Sequence, residues 1–171
     1  MTSARSSDPS SSPTAELAFL LAQVGAHAAA RFAERLAPLK LLPPHAGILR
    51  AVGQSDGLSQ AALSERLGMF PSRLVVLLDA LEERGLLERR STPEDRRSYA
   101  LHLTRAGKEM VQQIGRVAEE HKEALCAALD GAEQAQLAAL LRRIADEQAL
   151  TAGVHPGYRK LGRGRPADPD G

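Results

Sequence analysis

The sequence predicts a mainly α, α+β fold in which a helix-turn-helix is followed by a two-stranded β-wing. Three observations carry that expectation. Hydrophobic residues make up 43% of the chain, yet aromatics are only 3% and Trp is absent. The core must then be built from Leu, Ala, Val and Ile, a composition that favours packed helices. Two short stretches of helical periodicity meet at a tight, Gly-containing turn, the pattern of a helix-turn-helix. Behind them, Tyr99-Ala-Leu101-His-Leu103-Thr104 alternates apolar and polar residues, as a half-buried strand does. A length of 171 residues suits one domain with an extension and suffices for a real core. The single cysteine, Cys126, excludes an internal disulfide framework and a multi-cysteine zinc site.

Residues 1–13 are Ser/Pro-rich and have little to bury, so a disordered tail is expected there. Leu17, Leu21, Val24, Ala28, Phe32 and Leu36 then recur at helical spacing. The run continues without a break into Arg31, Glu34 and Arg35, which argues for an amphipathic helix against a secretory signal. No apolar run is long enough to span a bilayer, so a cytoplasmic protein with no membrane partner is expected. Pro38 and Pro43-Pro44 end the first helix, and Ala46–Val52 forms a short second one before Gly53. In the next helix Ser59 is the natural N-cap, Leu63 and Leu67 the buried face, and Gly68 the C-cap. After Met69-Phe70-Pro71 a third helix carries Leu74, Leu77, Leu78 and Leu81 on one side. Leu86–Arg90 and Tyr99–Thr104 read as the two strands, with Ser91–Ser98 a long polar loop projecting as a charged wing. Thr104 caps a long helix striped by Met110, Ile114, Val117, His121, Leu125 and Ala128. Asp130-Gly131 interrupts it, and a last helix shows Leu137, Leu140, Leu141 and Ile144. From Gly153 to Gly171 the chain reads as a loose basic tail.

The formal net charge is only +1, which at first argues against a uniformly basic nucleic-acid binder. Its distribution argues otherwise. Residues 43–108 hold ten basic against eight acidic groups, 109–150 four against eight, and 151–171 four against two. The hairpin stretch 86–108 alone has six against three. A modest local excess suffices for phosphate binding if it faces one way, because affinity comes from individual contacts and counterion release.

With these elements in place, the residues resemble the MarR family of bacterial transcriptional regulators. The likeness rests on Gln60–Gly68, on Leu78-Asp-Ala-Leu-Glu-Glu-Arg-Gly85-Leu, on Pro93-Glu-Asp95-Arg96-Arg97, and on Leu101-His-Leu-Thr104-Arg-Ala-Gly107. It runs from about Ala15 to Leu150, and the order and spacing of these pieces make it specific. The resemblance implies a winged helix-turn-helix with N- and C-terminal dimerisation helices that interlock in a symmetric dimer. It divides the chain into a tail (1–13), a family domain (14–150) and a flexible basic tail (151–171). Within the domain, 14–42 and 105–150 would dimerise and 43–104 would form the DNA-binding lobe. The partners it implies are double-stranded operator DNA, a second copy of the chain and a small-molecule effector, with no cofactor. The function so implied is sequence-specific regulation, as a repressor on a pseudo-palindromic operator. The competing class is a winged-helix module for protein–protein contact without specific DNA binding.

The expected DNA-binding residues are Ser59, Gln60, Ser72, Arg73, Val76, Asp95, Arg96 and Arg97. Ser59, Gln60 and Ser72 sit at helix N-termini, where N–H groups and hydroxyls meet phosphates. Arg73 has the chemistry for a bidentate guanine contact, and Val76 for a thymine methyl. In the wing the family pattern sends an Arg into the minor groove, with Asp95 orienting Arg96 or Arg97. One departure stands out. Family members often have polar residues where this chain has Phe70, Val75 and Val76, so few groups remain for base readout.

Family members often bind small aromatic acids or phenols between the dimer helices and the DNA lobe. His27, Arg31, Arg35 and His45 are the candidates to line such a pocket, and their charge suits an anionic aromatic ligand. His121 lies beside Glu119, Glu120 and Glu123 but lacks the i+4 partner of a helical metal pair, so no metal site is expected. No catalytic constellation stands out, and an enzyme is not expected.

Overall fold

A computed structural model describes residues 13–92, 95–155 and Tyr158, with the backbone alone at 13–15, 92 and 95–98. The elements are α1 (Pro13–Leu36), a 3₁₀ turn (Ala37–Leu39), α2 (Pro43–Gln54), β1 (Leu58–Ser59), α3 (Gln60–Leu67), α4 (Pro71–Glu83), β2 (Leu87–Thr92), β3 (Asp95–Leu103), α5 (Arg105–Leu125) and α6 (Gly131–Glu147). The fold is therefore mostly helical, with one small antiparallel sheet.

Helix ends follow local chemistry. The Ser59 hydroxyl accepts from the Ala62 N–H at 3.2 Å and starts α3, which Gly68 closes in the left-handed region at φ 60°. Just beyond, the buried Ser64 hydroxyl donates to the Met69 carbonyl at 2.7 Å and sets the turn between α3 and α4. Phe70 stands at the N-cap of α4 without a side-chain bond, and Pro71 compensates by fixing the first helical φ. Asp130 and Glu133 form a reciprocal capping box on α6.

The sheet order is β1-β3-β2, so the two-stranded wing of β2 and β3 is joined by a short third strand, β1. Leu58 pairs with Leu101 and Ser59 with Ala100, so the start of α3 is tied directly to the central strand. On the other side Leu87 pairs with Leu103 and Arg89 with Leu101. The expected polar loop 91–98 is also corrected, since β2 continues to Thr92 and β3 begins at Asp95. A ladder needs only backbone donors and acceptors, so polar residues extend it without any apolar alternation to announce it.

The core sits between α2, α3, α4 and the sheet. Ile48, Leu49, Val52, Leu63, Leu74, Leu78, Leu81, Leu87 and Leu101 are fully buried there. Helix α5 packs on α1 and α2, burying Ile114 and half-burying Met110, Val111 and Val117. Gly107 makes this junction possible. A Cβ there would stand 1.9 Å from the Leu86 carbonyl oxygen, so the first turn of α5 can approach the lobe only without a side chain. By contrast, α6 buries no residue, and the outer half of α1 leaves Leu17, Phe19, Leu20, Leu21 and Val24 exposed.

Thr104 knots the wing to α5. Its hydroxyl accepts from the Gly107 N–H at 3.0 Å and donates to the Gly85 carbonyl at 2.6 Å. Thr104→Ala removes both bonds and is expected to cost about 1–2 kcal/mol. Urea denaturation at fixed protein concentration checks this, and a loss below about 0.3 kcal/mol would contradict the assigned cap.

Candidate nucleic-acid interface

Helix α4 divides lengthwise into strips. At about 100° per residue, Ser72, Val76, Asp79 and Glu83 fall on one face, and all four are exposed. Leu74, Leu77, Leu78 and Leu81 fall opposite and are buried in the core. Ser72 and Val76 are thus presented outward on the first two turns, as their sequence positions suggested. Val76 is 59% exposed, and Phe70 beside them is 49% exposed. Ser59 and Gln60 open α3, but the Ser59 hydroxyl is engaged in its cap.

Arg73 lies differently from its sequence expectation. It flanks the outward face, half-buried, with its Nε shielded from solvent and bonded to nothing among the described residues. Its charge acts on His45 of α2, whose pKa is lowered by burial first, then by Arg84 and by Arg73. Arg84 is held in turn by the carbonyls of Lys40 at 2.7 Å and Leu39 at 3.0 Å.

On the other flank, sequence reasoning counted Arg89 as basic excess and missed its role. Its guanidinium donates to Glu82 at 2.5 Å and Asp79 at 2.6 Å, while its N–H donates to Glu82 at 3.2 Å. It ties β2 to α4 and neutralises Asp79 on the outward face. Arg90 pairs with Glu88 and Arg105 with Glu109, so part of the apparent excess is spent inside the chain. Asp95, Arg96 and Arg97 open β3, and their side chains lie outside the described residues.

The MarR family model matches residues 39–98, the stretch from the 3₁₀ turn through both helices and into the wing. The chain is 33% identical over 105 residues to a protein of Thauera aromatica named as a transcriptional regulator for the hcr operon. That alignment covers 61% of this chain and 63% of the relative. An HTH-type transcriptional repressor of Mycobacterium tuberculosis is 28% identical over 133 residues, 78% of this chain and 96% of the relative. The chain thus spans under two thirds of the first relative and nearly all of the second. The fold matches a mutant MarR of E. coli crystallised with operator DNA at a TM-score of 0.66 and 24% identity, covering 78% and 99% of the two chains.

The chain resembles the MarR family over residues 39–98.

That family consists of transcriptional regulators rather than enzymes, in line with the sequence reading. Two apolar faces, one on α1 and one on α6, stay exposed among the described residues. Leu17 and Leu21 of α1 and Leu137, Leu140, Leu141 and Ile144 of α6 line one groove of about 590 Å³. No helix of the described residues is long and apolar enough to cross a membrane.

Three of the four residues expected to hold an effector converge. His27, Arg31 and Arg35 of α1 face His121 of α5 across an open cavity of about 560 Å³. Burial, then Arg35, Arg31 and His27, lower the His121 pKa, and its ring packs on Phe32 at 5.5 Å. Arg31 is partly committed by an ion pair to Glu34 at 2.5 Å. Two guanidiniums beside a neutral imidazole form a donor set for a carboxylate. His45 is not part of this cavity. Its Nδ1 accepts the Leu42 N–H at 3.1 Å, a helix-capping role that its position three residues into α2 explains. Among the described residues no group of three or more His, Cys, Asp or Glu is arranged to hold a metal.

Both histidines have folded-state pKa values below the ordinary imidazole value of about 6.5, so the unfolded chain binds more protons on acidification. Their contribution is complete above that value and lost as pH falls below it. Stability is therefore expected to drop between about pH 7.5 and about pH 5.5. His45→Gln keeps an acceptor for Leu42 but cannot protonate, so its drop should be smaller. Denaturant titrations at the two pH values read the difference, and identical drops would remove His45 from the account.

Proposed function

We propose that the chain is a homodimeric, cytoplasmic DNA-binding regulator that represses by occupying a pseudo-palindromic operator, its half-sites about one helical turn apart. The observation that carries this is the outward strip of α4, with Ser72 and Val76 exposed while the opposite leucines anchor the helix. In this reading 43–104 is the DNA-binding lobe, and 14–42 with 105–150 forms the dimerising part. The operator bound by the E. coli MarR mutant is the precedent for the ligand. Ser72 and Val76 meet base edges, Ser59 and Gln60 meet phosphates at the start of α3, and Arg96 or Arg97, oriented by Asp95, enters the minor groove. The flanking, half-buried position of Arg73 favours a phosphate contact over the guanine contact that its sequence position suggested.

The groove shared by α1 and α6 supports the dimer, because so many large apolar side chains at one end are otherwise left in water. The His27, Arg31 and Arg35 cavity supports release of DNA by a small anionic aromatic effector. A protein-docking module is the second reading, favoured by the exposure of Phe70 and Val76.

Fluorescence anisotropy on the upstream DNA of the chain's own gene decides between them. A regulator shows affinity falling steeply with salt, whereas a docking module shows no binding. Arg97→Ala is expected to weaken all sequences alike and to lower the salt slope by about 1, and unchanged affinity would remove the wing from the interface. Leu141→Glu should leave the monomer folded, since the residue is 41% exposed, yet shift sedimentation from dimer to monomer. An unshifted dimer would move the interface elsewhere.

A further inference from the structure

The sequence suggests a loose tail beyond α6, yet its described residues return to the body of the protein. Gly153 turns the chain in the left-handed region at φ 71°, and its carbonyl accepts from Arg50 of α2 at 3.2 Å. Tyr158 is 9% exposed and donates its hydroxyl to the Pro43 carbonyl at 3.0 Å. Gly47 of α2 leaves room for it, since a Cβ there would lie 2.9 Å from the hydroxyl. The chain is thus pinned at Tyr158 to the first turn of α2.

That anchor lies toward one flank of α4. Pro43 stands two residues before His45, on which, after burial, the charges of Arg84 and Arg73 act. At about 100° per residue Arg73 and Arg84 fall on one side of the outward strip of α4, and Glu82 falls on the other. Glu82 is the residue that holds Arg89 of β2. The wing and the anchor therefore approach α4 from opposite sides.

The sequence after the anchor has a chemistry of its own. Residues 159–171 lie outside the described residues. They carry Arg159, Lys160, Arg163 and Arg165, with no acidic group before Asp168. Arg163-Gly164-Arg165-Pro166 sets two guanidiniums about a glycine and ahead of a proline. In a minor groove about 6 Å wide a backbone reaches the floor most closely where it has no side chain, which glycine permits. Proline biases the residue before it to the extended conformation that can follow a groove. The guanidiniums suit the negative potential of narrow A·T stretches, whereas guanine puts an amino group on the floor of G·C stretches. The seven residues from Arg159 to Arg165 span at most about 25 Å, enough to cross a major groove about 12 Å wide to the minor groove beside it.

We propose that Arg163-Gly164-Arg165-Pro166 is a second minor-groove arm, pinned by Tyr158 and directed to A·T-rich sequence on the side of α4 away from the wing. The arm rests on the DNA-binding reading above and adds to it a contact from outside the winged lobe.

Fluorescence anisotropy of the full chain on alternating dA·dT, dI·dC and dG·dC duplexes tests the arm, with the upstream DNA of the chain's own gene as a fourth probe. Inosine lacks the guanine amino group, so dI·dC shares its minor groove with dA·dT and its major groove with dG·dC. Wild type is expected to bind dA·dT and dI·dC about tenfold more tightly than dG·dC. Arg163→Ala combined with Arg165→Ala should lose most of that preference and flatten the salt slope by about 2. Gly164→Val keeps both charges and should lose the preference as well. Tyr158→Ala lengthens the free linker and should cost about threefold on dA·dT, because the effective concentration of the arm falls; unchanged affinity there would overturn the anchoring. A preference unchanged in the double variant, or a Gly164→Val variant that matches wild type, would overturn the arm while salt-dependent binding to the upstream DNA leaves the regulator reading standing. No binding of wild type to any of the four probes would overturn both.

Discussion

The arrangement depends on the leucine face of α4. Leu74, Leu77, Leu78 and Leu81 bury that face against the lobe, and only because it is buried does the opposite strip point outward in one orientation. Each such side chain removed from water contributes about 1.5–3 kcal/mol, so four of them outweigh the missing side-chain cap at Phe70. A helix whose capping position is left bare is thus held by packing, with Pro71 and the Ser64–Met69 bond setting where it begins. The outward side chains need only be chosen for what they meet.

Electrostatics refine that frame without building it. Ion pairing of Arg89 with Asp79 and Glu82 joins the wing to α4 and removes a negative charge from the outward face in the same contact. Exposed pairs such as Arg90–Glu88 and Arg105–Glu109 add little to stability. They do reduce the charge left over for a polyanion, so the wing's basic excess is smaller in effect than in composition. Between α1 and α5 the same residue types line a cavity instead. There burial first, and then the guanidiniums of Arg35 and Arg31, lower the His121 pKa.

Features with a local cause were legible in the residues. Ser59, Gly68 and Thr104 act as caps because each satisfies or closes a helix end by its own chemistry. The leucine spacings of α3 and α4 gave the buried faces. The polar half of the hairpin was read as loop because strand pairing there involves no apolar alternation. Long-range partnerships were invisible for a similar reason. Nothing near Arg89 says that it will reach Asp79, nothing near His45 separates it from His27, and a lone tyrosine among glycine and proline has no period to betray its burial. Of the candidate site, the outward position of Ser72 and Val76 was legible, and the withdrawal of Arg73 to a flank was not.

Gly107 has a mechanical consequence. The gap it fills lies at the root of α5, a helix of 21 residues that extends, at about 1.5 Å per residue, roughly 30 Å from the lobe. A wedge there that tilts the helix by about 10° would sweep its far end through about 5 Å. The junction therefore works as a fulcrum. An atom-sized change at its short arm becomes a displacement larger than the rise between stacked base pairs at its long one, so the absence of one side chain sets the geometric tolerance of the molecule.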